Sequence, residues 1–462
     1  MGSTVDAYIE SYRDRFLNEL KTFLAIPSVS TLAEHKPDIE RACAFVEDRL
    51  RAAGIENVER IPTGGHPLVY GEWMKAPGKP TVLCYGHYDV QPPDPLNEWI
   101  TPPFTPTTRN GNLYARGAAD DKGQMYIHVK AAETLLATLG RLPVNVKFLI
   151  EGEEEVGGKA VDRYVAEHPE KLRADVALVS DTEMFAPGLP TLCVGLRGMV
   201  YTELIATGAA QDLHSGIFGG AAPNPLLGLA RVVSQMISAD YRVQIPGFYD
   251  DVAAPSPEEK ESWARLPFDE AEFLREKVGS QALVGEEGFA VLERLWARPT
   301  LEVHGIVGGF MGEGAKTVIP AKASAKVSMR LVPRQEPHKI LAAFQKEVER
   351  LTPRGLRVEV KALSLAEPVL MSPSHPYIQS AARALSETFD QPTVYVRGGG
   401  SIPIVARIQE SLGIPVVLMG FGLPDDRLHS PNEKFHLANF FSGIRAVTRF
   451  WENLAEGVGS NP

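Results

Sequence analysis

Four short apolar, β-branched runs, separated by segments with helical periodicity, constrain the fold of this chain more than any other feature. They are Thr81-Val82-Leu83-Cys84-Tyr85, residues 144–150, Val176-Ala177-Leu178-Val179 and Pro415-Val416-Val417-Leu418-Met419. Strands that alternate with helices, such as the helical stretch 122–138, predict an α/β fold with a mostly parallel sheet covered by helices on both faces. In such sheets, ligand sites gather beyond the carboxyl ends of the strands. Each run here is followed within about a dozen residues by groups able to bind metal or move protons: His87 and Asp89, Glu154 and Glu155, Asp181, and His429. An opening amphipathic helix is predicted from Ile9, Tyr12, Phe16, Leu20 and Phe23, ending before Pro27.

At 462 residues the chain exceeds what one core usually organises. Residues 195–365 carry different strands, including Tyr201–Ile205 and Lys326–Leu331, with few clustered ligand types. They are read as an inserted, smaller α+β lid or dimerisation domain. Residues 1–194 and 366–462 then form one discontinuous metal-binding domain. The net charge of −11 comes from interspersed acids and bases, which argues against a nucleic-acid partner. Cys43, Cys84 and Cys193 lie far apart with no CxxC spacing, which fits a cytoplasmic protein. The charged N-terminal segment does not read as a signal peptide, and no apolar run of about 20 residues is available to span a membrane.

The chemistry is carried by five clusters. In Tyr85-Gly86-His87-Tyr88-Asp89, alternation along an extended backbone puts the carboxylate beside an imidazole that it can orient. Arg116-Gly117-Ala118-Ala119-Asp120-Asp121 sets two acids at the entrance of a helix, where Asp121 can cap the helix while Asp120 faces a metal. Glu151, Glu153, Glu154 and Glu155 crowd the end of a buried strand, which requires a cation or raised pKa values. Asp181 closes the third strand, and His429 lies in the polar loop Leu428-His429-Ser430-Pro431-Asn432-Glu433. Two imidazoles and three carboxylates suit Zn²⁺ and tolerate Mn²⁺ or Co²⁺.

This pattern resembles the co-catalytic zinc metallopeptidases of the aminoacylase and glutamate-carboxypeptidase group, most closely their carnosinase and cytosolic non-specific dipeptidase branch. The likeness spans nearly the whole chain and includes Asp212-Leu213-His214-Ser215-Gly216, Lys316-Thr317-Val318-Ile319-Pro320, Arg330-Leu331-Val332-Pro333 and Gly399-Gly400-Ser401-Ile402-Pro403. It implies two divalent cations bridged by Asp120, one also held by His87 and Asp181, the other by Glu155 and His429. Glu154 is then the general base acting on a water activated by both cations, Asp89 orients His87, and a cis peptide falls at Asp120–Asp121. The resemblance also implies a homodimer in which His214 stabilises the oxyanion in the partner's site. Arg330 is implied to grip the substrate carboxylate, with Thr317 and Ser401 as hydrogen-bonding neighbours. The expected activity is hydrolysis of dipeptides or short peptides. An N-acyl-amino-acid deacylase or a carboxypeptidase is the alternative, and a non-catalytic metal-binding scaffold the remote one. One departure stands out: glycine occupies position 398, where relatives usually carry glutamate, which bears on how a substrate's free amine is recognised.

Overall fold

The computed structural model describes residues 2–457. The chain divides into two compact units. The first runs to Val194 and resumes over Met371–Val396 and from Pro403 onwards; the second comprises Gly195–Leu370 and Arg397–Ile402. The sequence reading closed the inserted segment at 365. The structure extends it by five residues and adds a six-residue excursion that carries Ser401.

In the first unit the centre of a mixed sheet is parallel. Thr81–His87 pairs with Asn145–Glu151 on one side and Val176–Val179 on the other, and Val176–Val179 pairs with Val416–Leu418. Tyr85 lies opposite both Leu149 and Val179, and Leu418 opposite Val179. The four carboxyl ends are therefore level along one edge. Antiparallel strands flank the centre, with Leu68–Trp73 beside Asn145–Glu151 and Thr191–Leu196 reached from Leu418. Every residue of Asn145–Glu151 and Val176–Val179 is buried, as expected for strands covered on both faces.

The covering helices include Lys122–Leu139, buried continuously from Lys122 to Leu135, and Leu437–Glu456, which packs against it. The opening segment forms two helices, Gly2–Ser11 and Arg13–Leu24, rather than one. Ile9, Phe16, Leu20 and Phe23 are buried, whereas Tyr12, at the break, is exposed. The helical periodicity counted Tyr12 on the packed face, and the interruption of the helix at that residue turns it outward.

The second unit is an antiparallel sheet in the order Thr300–Gly308, Lys322–Leu331, Gly198–Thr207, Arg357–Ala366. Alternate residues of Gly198–Thr207 are buried, so one sheet face packs and the other does not. Helices Pro225–Ser234 and Pro337–Leu351 cover the packed face through Leu229, Val232, Ile340 and Phe344. Among the described residues, no helix is long and apolar enough to cross a membrane.

Candidate metal centre

Level strand ends bring residues distant in sequence to one place. His87 ends the first parallel strand. Glu154 and Glu155 lie in a short 3₁₀ turn just after the second, Asp181 follows the third by two residues, and His429 sits in the loop beyond the fourth. Asp120 arrives from the turn that feeds helix Lys122–Leu139. Two donor groups result, His87, Asp120 and Asp181 in one and Asp120, Glu155 and His429 in the other, each with ligand atoms within 4.8 Å of one another.

The shared member is Asp120, and its two oxygens face different histidines. Oδ1 lies 3.2 Å from His87 Nε2, and Oδ2 lies 2.9 Å from His429 Nε2. His429 Nε2 is also 3.4 Å from Glu155 Oε2. A two-cation reading can be tested on the donors themselves. His87 is fully buried, and among the described residues its Nε2 makes no hydrogen bond. A buried imidazole nitrogen that sits beside carboxylate oxygens without forming a hydrogen bond to them fits a lone pair directed at a cation. Burial pushes the Asp181 carboxyl well above the usual range, and the Asp120 charge adds to it. Crowded carboxylates around two imidazoles fit a pair of divalent cations, and the mixed nitrogen and oxygen donors suit zinc or manganese rather than calcium.

The acidic run divides its labour. Glu151 is buried and accepts a hydrogen bond from Tyr85, and Glu153 Oε1 accepts the His66 N–H at 3.0 Å. Glu154 and Glu155 are left facing the donor groups. Burial pushes the Glu154 carboxyl up to about 7, against a smaller opposing pull from His87. Asp89 does two things. The His87 ring nitrogen Nδ1 lies 3.1 Å from the Asp89 backbone oxygen and 3.3 Å from its Oδ1, while the carboxylate accepts the N–H groups of Glu154 at 3.3 Å and Glu155 at 3.2 Å. One buried acid thus fixes both the His87 imidazole and the acidic turn.

Asp121 corrects the sequence reading. It occupies the N-cap position but its side chain makes no capping bond; instead Oδ2 accepts the His87 N–H at 3.2 Å. The peptide joining Asp120 to Asp121 is cis.

Sequence reasoning missed Glu433. Its carboxylate is fully buried; Oε1 accepts the N–H groups of Ala119 at 2.9 Å and Asp120 at 3.1 Å, and Oε2 accepts Gly117 N–H at 2.9 Å and Arg116 Nη1 at 2.8 Å. Gly117 holds φ at +81°, and a Cβ there would meet Val90 Cγ1 at 2.5 Å, so the turn is built around glycine. Glu433 stands four residues after His429 and therefore locks the Asp120 turn to the His429 loop. Glu433→Gln would set an NH₂ group against two of these donors. Cation affinity is expected to fall about 10- to 100-fold, read by calorimetric titration, and the metal-free melting temperature to fall with it, because the buried pair with Arg116 is broken. An unchanged affinity would remove Glu433 from this role.

The remaining expected residues lie in the second unit. His214 pairs with Val318 across a short antiparallel ladder, and Thr317 O accepts the Ser215 N–H at 3.1 Å. Arg330 Nη1 donates to Ser401 Oγ at 3.1 Å. These two pairs are local to that unit.

A model of peptidase family M20/M25/M40 matches residues 83–453. The chain is 33% identical to the Cys-Gly metallodipeptidase dug1 of Schizosaccharomyces pombe over 97% of both chains. It is 31% identical to the Beta-Ala-His dipeptidase of Homo sapiens over 97% of this chain and 92% of that one. Among solved structures, the M20 family metallo-carboxypeptidase Sso-CP2 from Sulfolobus solfataricus matches with a TM-score of 0.86 at 31% identity, covering 96% of this chain and 99% of that one.

Proposed function

The chain belongs to peptidase family M20/M25/M40, and on that premise we propose that it hydrolyses the amide bond of dipeptides with two divalent cations. The observation that carries this reading is Asp120, with one carboxylate oxygen toward His87 and the other toward His429. His87, Asp120 and Asp181 would hold one cation, and Asp120, Glu155 and His429 the other. Zinc is the first expectation from the donor chemistry, with manganese or cobalt tolerated.

When bound, the cations supply Lewis acidity, making a water more acidic and the scissile carbonyl more electrophilic. Glu154 takes the proton from the attacking water at its carboxylate and returns it to the leaving nitrogen, one group serving both steps. Asp89 keeps the Glu154 turn and the His87 ring in register. Arg330 grips the substrate carboxylate, a task for which a planar guanidinium fork is suited, with Thr317 and Ser401 as polar neighbours. His214 donates to the oxyanion in a partner's site.

That last role requires a homodimer. The outer strand Thr300–Gly308 is a sheet edge exposing Val303, Ile306 and Val307, with Phe310 and Met311 exposed just beyond it. An apolar edge of that kind supports pairing with a second copy, and a particle mass of one chain in solution would contradict it. A cytoplasmic location is supported by three buried thiols, Cys43, Cys84 and Cys193; recovery of the native protein in a secreted fraction would count against it.

The dipeptidase names of the full-length relatives favour this substrate class over N-acyl amino acids and longer peptides. Metal-loaded protein should release amino acids fastest from unblocked dipeptides. Faster cleavage of N-acetylated amino acids would reassign the chain as a deacylase.

A further inference from the structure

Two buried polar side chains on helix Lys122–Leu139 belong to neither donor group, yet both reach segments that carry donors. Gln124 stands in the first turn, four residues beyond Asp120. Its Nε2 donates to Ala119 O at 2.9 Å, and its Oε1 accepts the Phe421 N–H at 2.7 Å. Ala119 immediately precedes Asp120, and Phe421 lies in the loop that leaves strand Val416–Leu418. Only an amide serves both partners, because one needs an acceptor and the other a donor. His128 stands one turn further along the helix. Its Nε2 lies 2.7 Å from Ser180 Oγ, and Ser180 immediately precedes Asp181.

The Phe421 loop is in turn stitched to the residues that follow Asp181. Gly422 O accepts the Met184 N–H at 2.8 Å, and the Gly422 N–H reaches Thr182 O at 3.4 Å. A Cβ at Gly420 would lie 2.1 Å from Thr182 O, so the two backbones touch there and glycine is required. Asn439 Nδ2 closes the other side of the loop, donating to Phe421 O at 2.9 Å. Asp181 is therefore bracketed from one helix: His128 holds the residue before it, and Gln124 holds, through Phe421, the residues after it. The same Gln124 amide holds the carbonyl just before Asp120. Buried polar groups satisfied at both ends specify one arrangement of the segments they join. Glu433 works in another direction, tying the Asp120 turn to the His429 loop.

We infer that Gln124, aided by the contact of His128 with Ser180, is the positioning residue that sets Asp120 and Asp181 at ligand spacing. It thereby governs the affinity of the cation held with His87, and not that of the cation held by Asp120, Glu155 and His429. This rests on the two-cation reading of the donor groups.

The test titrates Zn²⁺ calorimetrically into metal-stripped protein in two backgrounds. Glu155→Ala leaves the His87, Asp120 and Asp181 group complete, and Asp181→Ala leaves the Asp120, Glu155 and His429 group complete. Gln124→Met, similar in volume but without the amide, is added to each. In the Glu155→Ala background the Zn²⁺ affinity is expected to fall about 10- to 100-fold, the range for a lost outer hydrogen bond. In the Asp181→Ala background it is expected to stay unchanged, because Glu433 still holds the Asp120 turn. Ser180→Ala, which removes only the contact with His128, should weaken the first background in the same direction and spare the second. A general loss of stability would lower both affinities alike. Equal losses in the two backgrounds, or no loss in Glu155→Ala, overturn the inference. Should Gln124→Met not fold, the split shown by Ser180→Ala decides. Native protein that takes up fewer than two cations overturns the two-cation reading and this inference with it, whereas two bound cations without the split overturn the inference alone.

Discussion

Glu154→Ala is expected to retain cations yet lose about 100- to 10,000-fold in kcat, the range typical of a removed general acid–base group. Glu154 belongs to neither donor group, so its loss leaves all five candidate donor side chains in place. The turn that carries it is held through backbone N–H groups on Asp89, and alanine preserves those bonds. Glu154→Gln should behave alike, keeping the shape and removing the proton acceptor. Glu155→Ala should differ, because it removes a donor beside His429 and metal content should fall with activity. Steady-state rates measured together with metal content separate the two positions. Native turnover in metal-replete Glu154→Ala would move the proton transfer to another residue.

Asp120→Ala should be the most damaging single change. Both donor groups lose their common member at once, leaving His87 with Asp181 and Glu155 with His429. Two donors from the chain rarely retain a catalytic cation at ordinary concentrations, since such sites generally supply three. Bound metal should fall from two equivalents to one or fewer. Activity should drop at least about 1,000-fold, as several kcal/mol of carbonyl polarisation and water activation disappear. Elemental analysis after gel filtration reads the first effect and dipeptide turnover the second. Two retained equivalents in Asp120→Ala would show that the cations sit elsewhere.

The parallel centre was legible because its strands are buried on both faces and read as continuous apolar runs, and their ends locate His87, Asp181 and the acidic turn. His429 was legible as a histidine in a loop too polar to be a core position. What local spacing could not reveal is contact between distant segments. Glu433 reaches the N–H groups of Gly117, Ala119 and Asp120, each more than 300 residues away. Its one sequence signal is that it shares a loop with the candidate donor His429. Asp121 was misjudged for a related reason, since an aspartate before a helix normally caps it, whereas here the His87 N–H on a neighbouring strand claims the carboxylate. Asp89 was read as a partner of His87 alone, because alternation along a strand shows which side chains share a face but not which loop folds over them. The return of Arg397–Ile402 to the second unit is a tertiary choice, and the glycine-rich run 398–400 carries no periodicity to announce it.

The most direct test of the two-cation account is to strip the protein of metal with a chelator, then titrate Zn²⁺ or Mn²⁺ back while following hydrolysis of an unblocked dipeptide. Activity should be absent at the start and reach its plateau at two equivalents per chain. Full turnover in the stripped protein, or a plateau at one equivalent, would contradict a site bridged by Asp120.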